Sequence, residues 1–145
     1  MLFDIFRARV GVVLLNGNNI LLIRNVKQTP PTFHLPGDVV KVSETLETAA
    51  KRAAKEQTGL DIELQKLLYV RDDLSESRQR IDIIFLGLLK PEQNITEKEN
   101  PNMKVDWVTI DVLSSMNLQP EVLKEQILYD YKNKFKASAK YISRG

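Results

Sequence analysis

The chain has 145 residues, 43% of them apolar and 28% charged, which is the size and mixture of one folded domain rather than of a disordered chain or of two independent cores. No cysteine and a single histidine, His34, exclude disulfides, thiolate metal sites, cysteine nucleophiles and any site needing two imidazoles. A net charge of +2 points to no polyanionic partner by itself. No run reaches the roughly 18 apolar residues of a membrane span, and Asp4, Arg7 and Arg9 interrupt the apolar N-terminus, so the expected setting is cytoplasmic.

Residues 9–15, RVGVVLL, and 19–24, NILLIR, flank an Asn-Gly pair, the signature of a hairpin with a two-residue type I′ turn. Residues 28–38, QTPPTFHLPGD, hold three prolines and a glycine and are expected to form an ordered loop, continuing neither strand nor helix. From residue 45 to 58 the pattern turns helical. Leu46, Ala50 and Ala54 recur four apart on the face expected to be buried, Thr45 is placed as the N-cap, and Gly59 as the left-handed residue that ends the helix.

Residues 62–70 and 80–89 read as an antiparallel pair of strands joined by a polar loop at 72–77. A long polar stretch, 90–102, precedes a short strand at 104–110 and a helix-prone turn at 111–116. A final helix starts near Pro120, with Leu123, Ile127, Tyr131 and Phe135 on its buried face. Lys132, Lys134, Lys136, Lys140 and Arg144 make the end of the chain basic. Such a tail could hold nucleic acid through phosphates, but reads first as the solvated, frayed end of that helix. The order of elements predicts an α/β/α sandwich with a mixed sheet between helices.

Residues 35–60, LPGDVVKVSETLETAAKRAAKEQTGL, resemble the Nudix box, G-x5-E-x7-R-E-U-x-E-E-x-G-U, where U is aliphatic. Leu35-Pro36-Gly37 matches the lead-in; Glu44, Arg52, Ala54, Glu56, Gly59 and Leu60 match the pattern in register from position 38 to 60. Asp38, Ala53 and Gln57 replace its Gly, Glu and Glu. With the preceding hairpin and the following Asp106-Trp107-Val108 strand, the resemblance covers nearly all of residues 1–145, as a single Nudix-like domain with a basic tail from about 136.

The resemblance implies a divalent-metal-dependent pyrophosphohydrolase of nucleoside diphosphate-X compounds, using Mg2+ or Mn2+. Positions 53, 56 and 57 share a helix face. The family has three carboxylates there, and this chain has a methyl, Glu56 and Gln57. Glu56 and Gln57 are thus the expected metal and catalytic residues, at a site weakened by two lost charges. Glu44 and Arg52 are expected to pair and fix the loop on the helix. Phe33 and His34 are candidate substrate contacts. Asp72, Asp73, Glu76, Asp82, Glu92, Glu97 and Glu99 are acids that could compensate, with Glu97 or Glu99 the candidate base.

Two functions follow: a hydrolase of reduced or absent activity, or a nucleotide or nucleotide-sugar binding protein without turnover. An isoprenoid diphosphate isomerase of the same fold is disfavoured because its resemblance calls for a catalytic cysteine. The expected partner is a small-molecule nucleotide rather than a membrane, with specificity set by residues 25–33 and 72–77. The apolar Leu2, Phe3, Ile5 and Phe6 are a candidate sheet edge or homodimer contact.

Overall fold

A computed structural model describes residues 5–74, 78–93, 95 and 102–143. Strands β1 (Ile5–Asn16) and β2 (Asn19–Asn25) form the hairpin, with Asn16 opposite Asn19. Gly17 alone of the two turn residues has a positive φ, 62°, which makes the turn of the II′ kind rather than the expected I′. The strands then part. Only Leu15 and Asn16 of β1 pair with β2; further back β1 pairs with β4 (Gly37–Val39), while β2 pairs with β3 (Thr32–His34) and β7 (Met103–Thr109). The segment expected to hold no strand therefore carries two of three residues each, separated by Leu35-Pro36.

On its other side β1 runs parallel to β6 (Arg78–Leu89) from Ile5 to Leu15, and β6 pairs antiparallel with β5 (Ile62–Leu74). Asp72, Asp73 and Leu74, at the start of the loop expected at 72–77, continue β5 instead. Charge does not end a strand when each charged side chain finds a partner across it, as Asp73 does with Arg80. The result is an eight-stranded mixed sheet among the described residues, ordered β3-β2-β1-β6-β5-β8 with β4 beside β1 and β7 beside β2.

Alternating residues of the central strands serve two cores. Val10, Val12, Leu14, Ile83 and Phe85 meet helix α1 (Leu46–Thr58) through Ala49, Ala50 and Ala54. Val13, Ile84, Leu86 and Tyr69 meet helix α2 (Glu121–Lys132) through Leu123 and Ile127. The period of two in the strands thus produces the sandwich. Thr45 caps α1 by accepting from the Thr48 N–H, and Gly59 ends it at φ 78°. Leu46, expected on the buried face, is 39% exposed because it lies in the first turn, ahead of the sheet.

The basic tail is docked. Residues Lys140–Ile142 form β8 parallel to β5, and Lys140 Nζ bonds Asp130, which also accepts from Tyr69 and Gln126. Lys66 Nζ bonds the carbonyls of Phe135 and Ala137. These contacts hold residues 133–142 against the sheet, where composition alone reads as a solvated end. Among the described residues no helix is long and apolar enough to cross a membrane. Around Phe6, 58% exposed, β1 pairs with β6 alone, its pairing with β4 starting at Arg9 and with β2 at Leu15, so among the described residues this stretch keeps one open side; Leu2 and Phe3 lie outside the described residues.

Candidate functional site

The box folds around one guanidinium. Arg52 makes five hydrogen bonds, one for each of its N–H donors: Nε and Nη2 to the two oxygens of Glu44 at 2.6 and 2.9 Å, Nη1 to Asp38 at 2.9 Å and to Glu56 at 2.8 Å, and Nη2 to the Val39 carbonyl at 3.0 Å. Glu44 and Arg52 are thus paired, as expected. Glu44 also accepts from the Lys41 N–H at 2.9 Å, and its carboxyl is held down to about 2 by Arg52 first and by that N–H second. Burial pushes the Asp38 carboxyl up, but its bonds to Arg52 and to the Val39 N–H outweigh this and leave it lowered.

Gln57 reads a peptide in both directions. Its Oε1 accepts from the Gly37 N–H at 3.0 Å, and its Nε2 donates to the Gly37 carbonyl at 2.7 Å. Ala53 is 1% exposed, its methyl buried under the helix, and Ala54 is fully buried, which fixes the register of the box on the helix. Gly37 has no room for a side chain, since a Cβ there would lie 2.2 Å from the Val10 carbonyl oxygen. That close approach lays the loop flat on β1.

Gly37 is also where the box meets a cavity of about 480 Å3 on the α2 side of the sheet. Its charged lining comes from strands: Arg9 of β1, Arg71 and Asp73 of β5, and Arg80 and Asp82 of β6, with His34 at the wall and Gln119 to Leu123 closing it at the start of α2. Arg71, 2% exposed, bonds Asp82 at 2.7 Å, and Arg80 bonds Asp73 at 2.6 Å. Arg71 Nε, Arg80 Nε and Asp82 Oδ1 are buried without a hydrogen-bond partner; the last two lie 3.2 Å apart as an ion pair. His34 Nδ1 lies 3.0 Å from the Leu35 carbonyl, which can only accept, so Nδ1 carries the proton and Nε2 is left as an acceptor. Burial lowers the pKa of this imidazole and favours its neutral form.

The sequence model of the NUDIX domain matches residues 5–130. The chain belongs to the Nudix family. It is 30% identical over 104 residues to a MutT-like protein of Streptomyces ambofaciens, a match covering 72% of this chain and 64% of that protein, and spans under half the length of two further Nudix relatives. A crystal structure of a Nudix hydrolase from Nitrosomonas europaea superposes with a TM-score of 0.75 at 15% identity, covering 98% of this chain and 81% of that one. An ADP-ribose pyrophosphatase from Streptococcus suis superposes with a TM-score of 0.64 at 15% identity, covering 95% and 98%. Nudix proteins form a pyrophosphohydrolase family that acts on nucleotide-type small molecules and typically uses divalent metals.

Not all the candidate residues of this Nudix protein gather at one place. Glu44, Arg52 and Glu56 form the hub, Gln57 holds Gly37, and His34 lines the cavity. Phe33 does not line it: its ring packs against the α2-side core, and its backbone bonds Asn117 and Gln119. Asp73 and Asp82 line the cavity as arginine partners, and Asp72 accepts from the Tyr141 hydroxyl. Glu92 is exposed at φ 58°, while Glu76, Glu97 and Glu99 lie outside the described residues. Arg9, Arg71 and Arg80 escape an emphasis on loops. Their signal was a charged residue inside an otherwise apolar strand, as in RVGVVLL and RQRIDIIFL.

Proposed function

We propose that this Nudix protein binds a nucleotide-type diphosphate compound in the cavity beside Gly37 and hydrolyses it slowly or not at all. The observation that carries this reading is the state of the helix face. Ala53 offers no donor and is buried, both polar atoms of Gln57 are committed to the Gly37 peptide, and Glu56 shares an oxygen with Arg52. Among the described residues no group of three or more His, Asp or Glu side chains is arranged to hold a metal ion. A hard divalent cation needs several oxygen ligands, preferably anionic, and this set does not fit one. If each missing carboxylate removes about 2 kcal/mol of transition-state stabilisation, the pair costs about a thousandfold in rate. Losses that act together would remove more.

The cavity supports the binding half of the proposal. It opens at the loop that the box fixes, it is lined by guanidiniums suited to phosphate, and it is large enough for a nucleotide fragment. The test is calorimetry with ADP-ribose and a UDP-sugar, each with and without Mg2+ or Mn2+, followed by chromatography for released nucleoside monophosphate. Binding that survives chelation, with turnover near background, is the expected result. Metal-dependent turnover at an ordinary rate would overturn the reading. Glu97→Gln and Glu99→Gln would then ask whether either acid supplies the base.

A further inference from the structure

Among the described residues the charges lining the cavity do not balance, and the imbalance falls on one residue. Three guanidiniums, Arg9, Arg71 and Arg80, face two carboxylates, Asp73 and Asp82, with His34 favoured as neutral. The sheet register explains who is left over. Asp82 is the cross-strand partner of Arg9 on β1 and of Arg71 on β5, so two arginines flank one aspartate in a single row. Asp82 bonds Arg71 at 2.7 Å and lies against Arg80 at 3.2 Å, while Asp73 takes Arg80 at 2.6 Å and Arg71 at 3.5 Å.

Among the described residues Arg9 makes no ion pair, and its hydrogen bond is a long one, Nη2 to the Gly37 carbonyl at 3.4 Å. That carbonyl already accepts from Gln57 at 2.7 Å. Burial first, and then the neighbouring Arg80, disfavour the charged form of Arg9, and Asp82 and Asp38 offset this only in part. A part-buried cation whose carboxylates act without a direct ion pair gains from an anion that joins it. The described lining contains no Phe, Tyr or Trp, so the His34 imidazole is the one aromatic ring there for a base to meet.

We propose that Arg9 is the anion anchor of this cavity, holding an oxyanion of the ligand, phosphoryl or carboxylate, between its guanidinium fork and Arg80 at the edge of the Gly37 loop. Arg71, Asp73, Arg80 and Asp82 form a floor of mutual ion pairs, with the Nε donors of Arg71 and Arg80 still without a hydrogen-bond partner, and Arg9 is the cavity arginine that has no ion pair among the described residues. Guanidinium forks match both oxyanions in two-point geometry. The inference rests on the binding cavity named above and adds which residue selects the ligand and by what charge.

The experiment is calorimetry on the full chain with inorganic phosphate, ribose 5-phosphate, gluconate, AMP and adenosine, repeated on Arg9→Gln, Arg9→Lys and Arg7→Gln. Arg7 is exposed and does not line the cavity, so its variant removes the same charge from outside the site. The expected result is that oxyanion probes bind and adenosine does not, with affinity falling about tenfold or more in Arg9→Gln, less in Arg9→Lys, and little in Arg7→Gln. A preference for ribose 5-phosphate over gluconate identifies phosphoryl as the source, and the reverse identifies carboxylate. A thermal melt checks that Arg9→Gln is folded; if it is not, the charge-preserving Arg9→Lys carries the comparison. Equal affinities in wild type, Arg9→Gln and Arg9→Lys, adenosine binding as tightly as AMP, or no binding of any oxyanion would overturn the proposal. The two readings fail separately. Diphosphate compounds that bind regardless of Arg9 defeat this inference alone, whereas Arg9-dependent binding of ribose 5-phosphate with no binding of diphosphate compounds defeats only the earlier one.

Discussion

Arg52 and Arg71 are both arginines among carboxylates, yet they sit in opposite circumstances. Arg52 lies between loop and helix at a partly exposed position, and every N–H it carries has a partner. Arg71 lies under the cavity at 2% exposure, its bond to Asp82 runs through Nη2, and its Nε has no partner. The first arrangement is complete in the protein as it stands and belongs to architecture. The second stays polar at a depth where an apolar side chain would pack more cheaply, which agrees with the binding proposed for the cavity.

The contrast can be broken from the cavity side first. Asp82→Ala strands the Arg71 guanidinium without its short partner in a buried place, and should destabilise by about 3–5 kcal/mol in a urea titration. An Asp82→Ala protein as stable as the wild type would show that water reaches Arg71 and that the floor is not buried in the sense argued here.

Arg52→Ala should cost less, about 2 kcal/mol, because the guanidinium and two of its three carboxylates keep some access to water. It also carries a pH signature. The Glu44 carboxyl titrates at about 2 in the fold against an ordinary value of 4.5, so this contribution is present above about pH 4.5 and is lost as pH falls towards 2. The stability gap between wild type and Arg52→Ala, measured by urea unfolding, should therefore shrink across that window. A gap independent of pH would remove Glu44 from the account.

Gln57→Glu restores a family carboxylate but removes the donor to the Gly37 carbonyl and puts a negative oxygen against it. A loss of about 1–2 kcal/mol is expected from thermal melts without added metal. An unchanged melting temperature would mean that the amide clamp does not hold the loop. The smallest effect belongs to the surface of the same helix: Lys55→Ala, which breaks the exposed pair with Asp61 at 3.3 Å, should stay within about 0.5 kcal/mol in the same assay.

The box was legible residue by residue because its information is local. Thr45, Arg52, Ala54 and Gly59 act within one helix and the turn before it, and helix spacing fixes what they can reach. The two-layer burial of the strands was legible for a similar reason, since alternation along each strand declares its faces. Other features were decided across the sheet. That Gln57 holds the Gly37 peptide depends on a loop twenty residues away lying flat on β1. That Lys140–Ile142 becomes a strand depends on the open edge of β5 and on Asp130 of α2. The cavity depends on three strands from distant parts of the chain bringing Arg9, Asp82 and Arg71 into one row. Sequence spacing sets which residues share a helix turn or a strand face, but the pairing of strands far apart in sequence sets which charges must share a partner. That is why the sequence alone announced the family of this protein, and only the tertiary structure decided which cavity arginine has no ion pair among the described residues.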